Sequence, residues 1–238
     1  MTETFLGGRV RARQPETGFR SGTDAVLLAA AVPAQAGEQV LELGAGSGVA
    51  TLCLAARVSG LTALGVELDD GLADLARQNA LASGLEAEFA CADIFALPPV
   101  LKRDFDQVFA NPPFHGEGQH PPHPTRARAL MDNGTLRQWL NIGLQRTVSG
   151  GYFTSIFRAD RLAEVLGGFS GVGVNIMPIW PRAGTPAKRV ILLARKGSRA
   201  PSELLPGLVL HEADGRYTDA AEAVLRHGGS LAMDWGRL

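Results

Sequence analysis

The stretch Glu42-Leu43-Gly44-Ala45-Gly46-Ser47-Gly48 constrains this chain more than any other. It stands between residues 39–43, a short apolar run of strand character, and residues 49–58, which are apolar nearly all round, as a buried helix is. A strand that turns through glycines into a helix is a βα unit. The unpaired N–H groups at such a helix start, reached over residues without Cβ, suit a nucleotide-type ligand. The dinucleotide fingerprint G-x-G-x-x-G would need glycine at position 49, where this chain has Val49, so a nicotinamide oxidoreductase is disfavoured. Here the spacing is G-x-G-x-G with an acid two residues before it. A carboxylate at Glu42 repels a diphosphate and attracts the ammonium or sulfonium of an amino-acid-bearing cofactor. Glycines also serve tight packing, and an acid at a strand end also caps a helix or binds water, so the turn alone leaves both readings open.

The remaining pattern alternates strands and helices. Residues 62–66 read as a second strand, 71–82 as a helix stopped by Gly84, 86–91 as a third strand and 105–110 as a fourth. A helix at 136–147 stops at Gly150-Gly151, and a strand at 152–157 and a helix at 159–166 follow. Residues 172–180 and 189–194 are strands with no helix-length segment between them, hence an antiparallel pair. This order predicts an α/β fold, an open and mostly parallel sheet with helices on both faces. Residues 201–238 read as an appendage with a strand near 208–211 and a helix at 218–226. Residues 114–128, rich in glycine, proline and histidine, form a long loop. With 238 residues, 45% of them hydrophobic, the chain can bury a sizeable core in one or two domains, which excludes disorder and fibrous repeats. The apolar run 25–32 is cut by Pro33, short of the roughly 18 residues that argue a membrane span. With no secretion-like start, and with Cys53 and Cys91 too far apart for a paired thiolate site, the expected location is cytoplasmic.

Three further features carry chemistry. Glu67 ends the second strand, where doubly wound folds place a carboxylate on a ribose diol, while Asp69 and Asp70 after it read as helix-start residues. Asp93 follows the third strand, placed to accept from the amine of an adenine flanked by Ile94. Asn111-Pro112-Pro113-Phe114 ends the fourth strand at the crevice where open α/β sheets bind ligands. Two prolines fix φ and remove two donors, so the Asn111 oxygen and the Pro112 carbonyl form an acceptor pair for an exocyclic amine. Phe114 offers the stacking face.

At these residues, over about 20–197, the chain resembles the class I S-adenosylmethionine methyltransferases, specifically the amino-methylating group with the Asn/Asp-Pro-Pro-aromatic motif. Three stretches, Ser21-Gly22-Thr23-Asp24-Ala25-Val26-Leu27-Leu28, residues 181–190 and Gly215-Arg216-Tyr217-Thr218-Asp219-Ala220, resemble the bacterial tRNA (adenine-N6) methyltransferase family. That resemblance implies a Rossmann-like sheet of seven strands with the last antiparallel. It also implies S-adenosylmethionine as cofactor, S-adenosylhomocysteine as product, and tRNA as substrate, methylated on the adenine at position 37 of a valine tRNA. The cofactor residues it implies are Glu42, Gly44, Gly46 and Gly48 at the methionine end, Glu67 at the ribose, Asp93 and Ile94 at the adenine, and Thr23 and Asp24 in a segment closing over the site. Asn111, Pro112, Pro113 and Phe114 would grip the target amine. The chain then divides into an N-terminal closing segment (1–36), a core (37–197) and a C-terminal appendage (198–238), one methyltransferase domain in all.

A balance of 23 Lys+Arg against 24 Asp+Glu excludes a chain cationic all over but not a local basic face. Between 182 and 199 there are six basic residues and no acid, and Arg182, Lys188, Arg189 and Arg195 are the expected RNA contacts; Arg126 and Arg128 are a second candidate set. His115, His120, His123 and Glu117 lie in a Pro-rich loop, a poor preorganised metal site, so no metal is expected. The alternatives are a ribosomal RNA guanine-N2 methyltransferase, a protein-glutamine N5-methyltransferase and an inactive cofactor- and RNA-binding module. Length disfavours relatives that need a recognition domain.

Overall fold

A computed structural model describes residues 2–17, 20–113, 133–169 and 171–231. A nine-stranded sheet is its centre. In the order of the chain its first elements are β3 (Gln39–Leu43), α2 (Val49–Arg57), β4 (Thr62–Glu67), α3 (Asp70–Ser83) and β5 (Glu88–Cys91). Next come β6 (Phe105–Ala110), α4 (Asn133–Arg146), β7 (Thr147–Arg158), α5 (Leu162–Leu166), β8 (Val174–Arg182) and β9 (Arg189–Arg195). Ahead of them lie a hairpin, β1 (Thr2–Phe5) with β2 (Val10–Arg13), and α1 (Thr23–Ala31); after them lie β10 (Glu203–Leu204), β11 (Leu208–His211) and α6 (Asp219–Leu225). The seven strands β3 to β9 are ordered β5-β4-β3-β6-β7-β9-β8 across the sheet, with β9 antiparallel to both neighbours. These seven strands form the mostly parallel sheet with its last strand antiparallel that the resemblance implies. Two more strands than expected complete the sheet: β10 and β11 both pair in parallel with the outer edge of β8. Their interruption falls at Pro178 of β8, a residue with no N–H to offer a ladder.

Alternation along each strand separates two cores. Val40, Ala63, Phe109 and Ile156 face α1, α2 and α3, whereas Leu41, Leu64, Val108 and Phe157 face α4 and α5. Helix α1 is buried from Ala25 to Ala31 and stops before Val32-Pro33, since the residue ahead of a proline is driven out of the helical region. Asp69 caps α3 by accepting from the Leu72 N–H, and Gly84 ends it at φ +62°. Strand β7 begins earlier than its sequence suggests: Gly150, at φ +81°, lets the chain bulge where the register with β6 shifts, so the glycines sit inside the strand. Cys53 and Cys91 are free thiols. Among the described residues no helix is long and apolar enough to cross a membrane.

Candidate active site

Parallel pairing gathers the expected residues along one edge of the sheet. Leu43 of β3 is opposite Ala110 of β6, so Gly44 and Asn111 both leave the sheet at the same level, one strand spacing or ~4.8 Å apart. On the other side of β3, Leu43 pairs with Val66, and Glu67 pairs with Cys91, two residues before Asp93. Across the sheet edge the order is therefore Asp93, Glu67, the glycine turn and Asn111.

The turn is held by its neighbours. Both Gly44 and Ala45 donate to the Val66 carbonyl, at 2.8 and 3.0 Å. The Glu67 carboxylate bridges two turns, accepting from the Gly46 N–H at 2.8 Å and the Asp69 N–H at 3.0 Å. The three glycines have different reasons to be glycine. A Cβ at Gly44 would meet the Trp139 ring at 2.6 Å and one at Gly48 would meet Phe89 at 2.7 Å, but one at Gly46 would meet nothing within 4 Å. Only Gly46 combines a left-handed φ, +57°, with open space, the condition for a ligand to approach the main chain.

Glu42 is buried, with 3% of its surface exposed, on the α2 side of the sheet. Its carboxylate accepts from the Thr51 N–H at 2.9 Å, in the first turn of α2, and from the Thr51 hydroxyl. Helix capping, one of the two roles open to it, is thus present. Burial nevertheless outweighs those bonds, and with Glu67 nearby the Glu42 carboxyl is pushed up to about 8. No basic side chain among the described residues offsets it. A ligand that brings positive charge beside Glu42 would favour its ionised form.

Asp93 is exposed and caps the short 3-10 turn Ile94–Ala96 by accepting from the Phe95 N–H at 2.8 Å. Ile94 points into the core, while its neighbour Phe95 is exposed and meets Trp139 edge-on at 6.0 Å. At the acceptor corner Asn111 is half-buried, Pro112 buried and Pro113 exposed, and the Ser155 hydroxyl donates to the Ala110 carbonyl just before it. Phe114, His115, Glu117, His120, His123, Arg126 and Arg128 lie outside the described residues. Among those described, no cluster of three or more His, Cys, Asp or Glu could hold a metal.

Sequence reading missed a polar network behind the turn. Gln14, 5% exposed, donates to the Ser21 carbonyl and to Glu3, and accepts from the Ser21 N–H and the Ser47 hydroxyl at 3.2 and 3.0 Å. Asn79, 1% exposed, donates to the Ser47 and Arg13 carbonyls and accepts from the Arg13 N–H. Together they tie the hairpin, residue 21 and the glycine turn into one unit. A buried Asn in the apolar pattern of α3 was the available signal.

The basic stretch is divided. Arg182, Lys188 and Arg189 lie at the crevice end of the β8–β9 pair, and Arg189 donates to Asp24 at 2.7 Å. Arg195 is at the opposite end of β9, ~20 Å away along the strand, with its Nε on the Gly150 carbonyl and its guanidinium over Tyr152. Thr23 and Asp24, expected over the cofactor, thus share a wall with part of the expected RNA contact.

Comparison with known proteins agrees with the fold. The model of the Methyltransferase small domain family matches residues 19–136. A tRNA1(Val) (adenine(37)-N6)-methyltransferase of Aeromonas salmonicida is 32% identical over 211 residues, 84% of this chain and 86% of its own length. The chain belongs to the tRNA1(Val) (adenine(37)-N6)-methyltransferase family. Its relative in Cronobacter sakazakii is 36% identical over a shorter stretch, 50% of this chain and 51% of its own. Among solved structures, an Agrobacterium tumefaciens protein described as a predicted O-methyltransferase superposes with a TM-score of 0.73 at 27% identity, covering 87% of this chain and 98% of that one. A Thermus thermophilus 16S rRNA methyltransferase in complex with AdoMet and guanosine shares the fold, with a TM-score of 0.58 at 22% identity over 82% of this chain and 50% of its own. The comparisons thus bear on the family and the fold of this chain.

Proposed function

We propose that this protein is an S-adenosylmethionine-dependent N-methyltransferase acting on the N6 amine of an adenine in tRNA, the adenine at position 37 of a valine tRNA, as its Aeromonas relatives are named. One observation carries the reading: the glycine turn, open at Gly46, and the Asn111-Pro112 acceptor pair follow directly on neighbouring strands that end at the same level, Leu43 opposite Ala110. A donor on the turn and an amine at the corner would then face each other across one strand spacing.

When bound, S-adenosylmethionine supplies a methyl group on a cationic sulfur. Glu42 sets negative charge behind the turn, Gly46 admits the ligand to the main chain, Glu67 takes the ribose hydroxyls and Asp93 the adenine amine. At the corner, the Asn111 oxygen and the Pro112 carbonyl each accept one N–H of the target amine. Holding both protons draws the nitrogen lone pair out of conjugation with the ring and aims it at the methyl. The same acceptors stabilise positive charge as it develops on nitrogen, so the proton leaves afterwards and no strong base is needed. RNA contact is assigned to Arg182, Lys188 and Arg189 at the crevice, and Arg195 to the remote end of the sheet.

Nucleoside mass spectrometry of RNA from a deletion strain tests the reading: N6-methyladenosine should disappear from tRNA, and its persistence with loss of a ribosomal methylguanosine would replace the assignment. Asn111→Ala should reduce methyl transfer at least about a hundredfold while calorimetric S-adenosylmethionine affinity holds, as removal of a charge-stabilising acceptor does elsewhere.

A further inference from the structure

A cavity of about 220 Å³ opens between the start of α1, the crevice end of the β8–β9 pair and residues 210–217. Leu27, Ile179, Pro181 and Leu210 make its apolar lining. His211 and Tyr217 also line it, as a stacked pair with centroids 4.8 Å apart and planes at 20°. The pair is held rigidly. His211 and Tyr217 form an antiparallel bridge, Glu212 N–H donates to the Arg216 carbonyl, and the Thr218 hydroxyl donates to the Val209 carbonyl. His211 Nδ1 meets the Gly215 carbonyl at 3.1 Å; a carbonyl only accepts, so Nδ1 carries the proton and Nε2 is an acceptor in the neutral ring. At the rim Asp24 and Arg189 offset each other, and the net positive charge of the wall is that of the exposed Lys188.

We propose that this cavity receives one unpaired nucleotide of the RNA, a neighbour of the adenine being methylated; the inference rests on the tRNA reading above and adds a subsite to it. An apolar lining with aromatic rings takes the face of a base. Thr23, Asp24 and His211 Nε2 offer donors and acceptors to its edge, and Lys188 offers its ammonium to a phosphate. The volume lies below the roughly 300 Å³ at which drug-sized pockets begin, so it suits one base and not two. It does not take the methylated base itself. Asn111 leaves β6, and β9 and β8 are two and three strands away, ~10 to ~14 Å at ~4.8 Å per strand. Bases splayed out of a single-stranded loop are the form in which RNA presents itself to such a pair of sites.

The test uses tRNA transcripts carrying 2-aminopurine, one position at a time, at the nucleotides adjoining the target adenine, titrated with the full chain in the presence of S-adenosylhomocysteine. At one position wild-type protein and Tyr217→Phe should quench the probe on binding and Tyr217→Ala should not. Tyr217→Ala should bind unmodified transcript at least about fivefold more weakly, the low end for loss of a base stack, with cofactor affinity by calorimetry unchanged. Lys188→Ala, a change at an exposed side chain that leaves the fold intact, should lower the slope of binding against salt by about one. Equal quenching and affinity in Tyr217→Ala, or an unchanged slope in Lys188→Ala, overturns the subsite while wild-type methylation of tRNA still stands. Wild-type protein that transfers no methyl to tRNA overturns both.

Discussion

In the proposed cofactor site, Glu42 couples ligand binding to pH. Its carboxyl, raised from 4.5 to about 8 by burial, holds a proton in the folded, unliganded protein where the unfolded chain has lost it. Between those values the native state binds more protons, so stability falls as pH rises through that window and levels off above about 8. A cationic ligand prefers the ionised form and must expel the proton below about 8. Calorimetric affinity for S-adenosylmethionine should therefore fall with pH below about 8, by up to tenfold per unit, and Glu42→Gln should flatten the profile. The glycines separate similarly. Gly46→Ala faces only the ~1–2 kcal/mol of a left-handed non-glycine residue, whereas Gly48→Ala adds a collision with Phe89. Thermal melts should show Gly48→Ala clearly the less stable, while Gly46→Ala, though folded, loses cofactor affinity. The sequence shows three alike glycines; their difference lies in Trp139 and Phe89, which come from other elements and leave no local trace.

Among the elements, those with a strong period are the legible ones: α2, α3, β3, β4 and β6 fall within a residue or so of where their patterns put them. The hairpin β1–β2 was not read, because its two four-residue strands carry few apolar side chains and rest on side-chain bonds to α3. Its tie to the glycine turn runs through Gln14. Gln14→Ala leaves the Ser21 N–H and the Ser47 hydroxyl without their acceptor, a change expected to lower stability by about 1–3 kcal/mol and to raise the KM for S-adenosylmethionine more than it lowers kcat. Strand β9 explains why a run of basic residues is a poor guide to a face. An antiparallel strand of seven residues carries its two ends to opposite edges of the sheet. Lys188→Glu should accordingly weaken tRNA binding and Arg195→Glu should not, as read by filter binding at fixed salt.

For the whole molecule, near-zero net charge conceals a division of labour, with acids at the cofactor side of the sheet edge and bases two strands beyond the acceptor corner. The open, mostly parallel sheet with its reversed last strand followed from alternation and the final hairpin, whereas the order of the strands across it comes from the structure. The C-terminal strands could not be placed by the same logic: β10 and β11 are too short to announce a partner, and only the exposed edge of β8 decides where they go. The closing contacts also impose a schedule. Arg9 donates to the His227 carbonyl across 218 residues, and the hairpin's bonds to α3 span 66 and 72. At roughly 5–20 residues per second, the ribosome needs roughly 10 to 40 seconds to reach His227 after Arg9, and about a third of that to reach α3. The brace of the glycine turn, which runs through Gln14, Ser47 and Asn79, is therefore complete once α3 has been made, and only the tie from Arg9 waits for the end of synthesis.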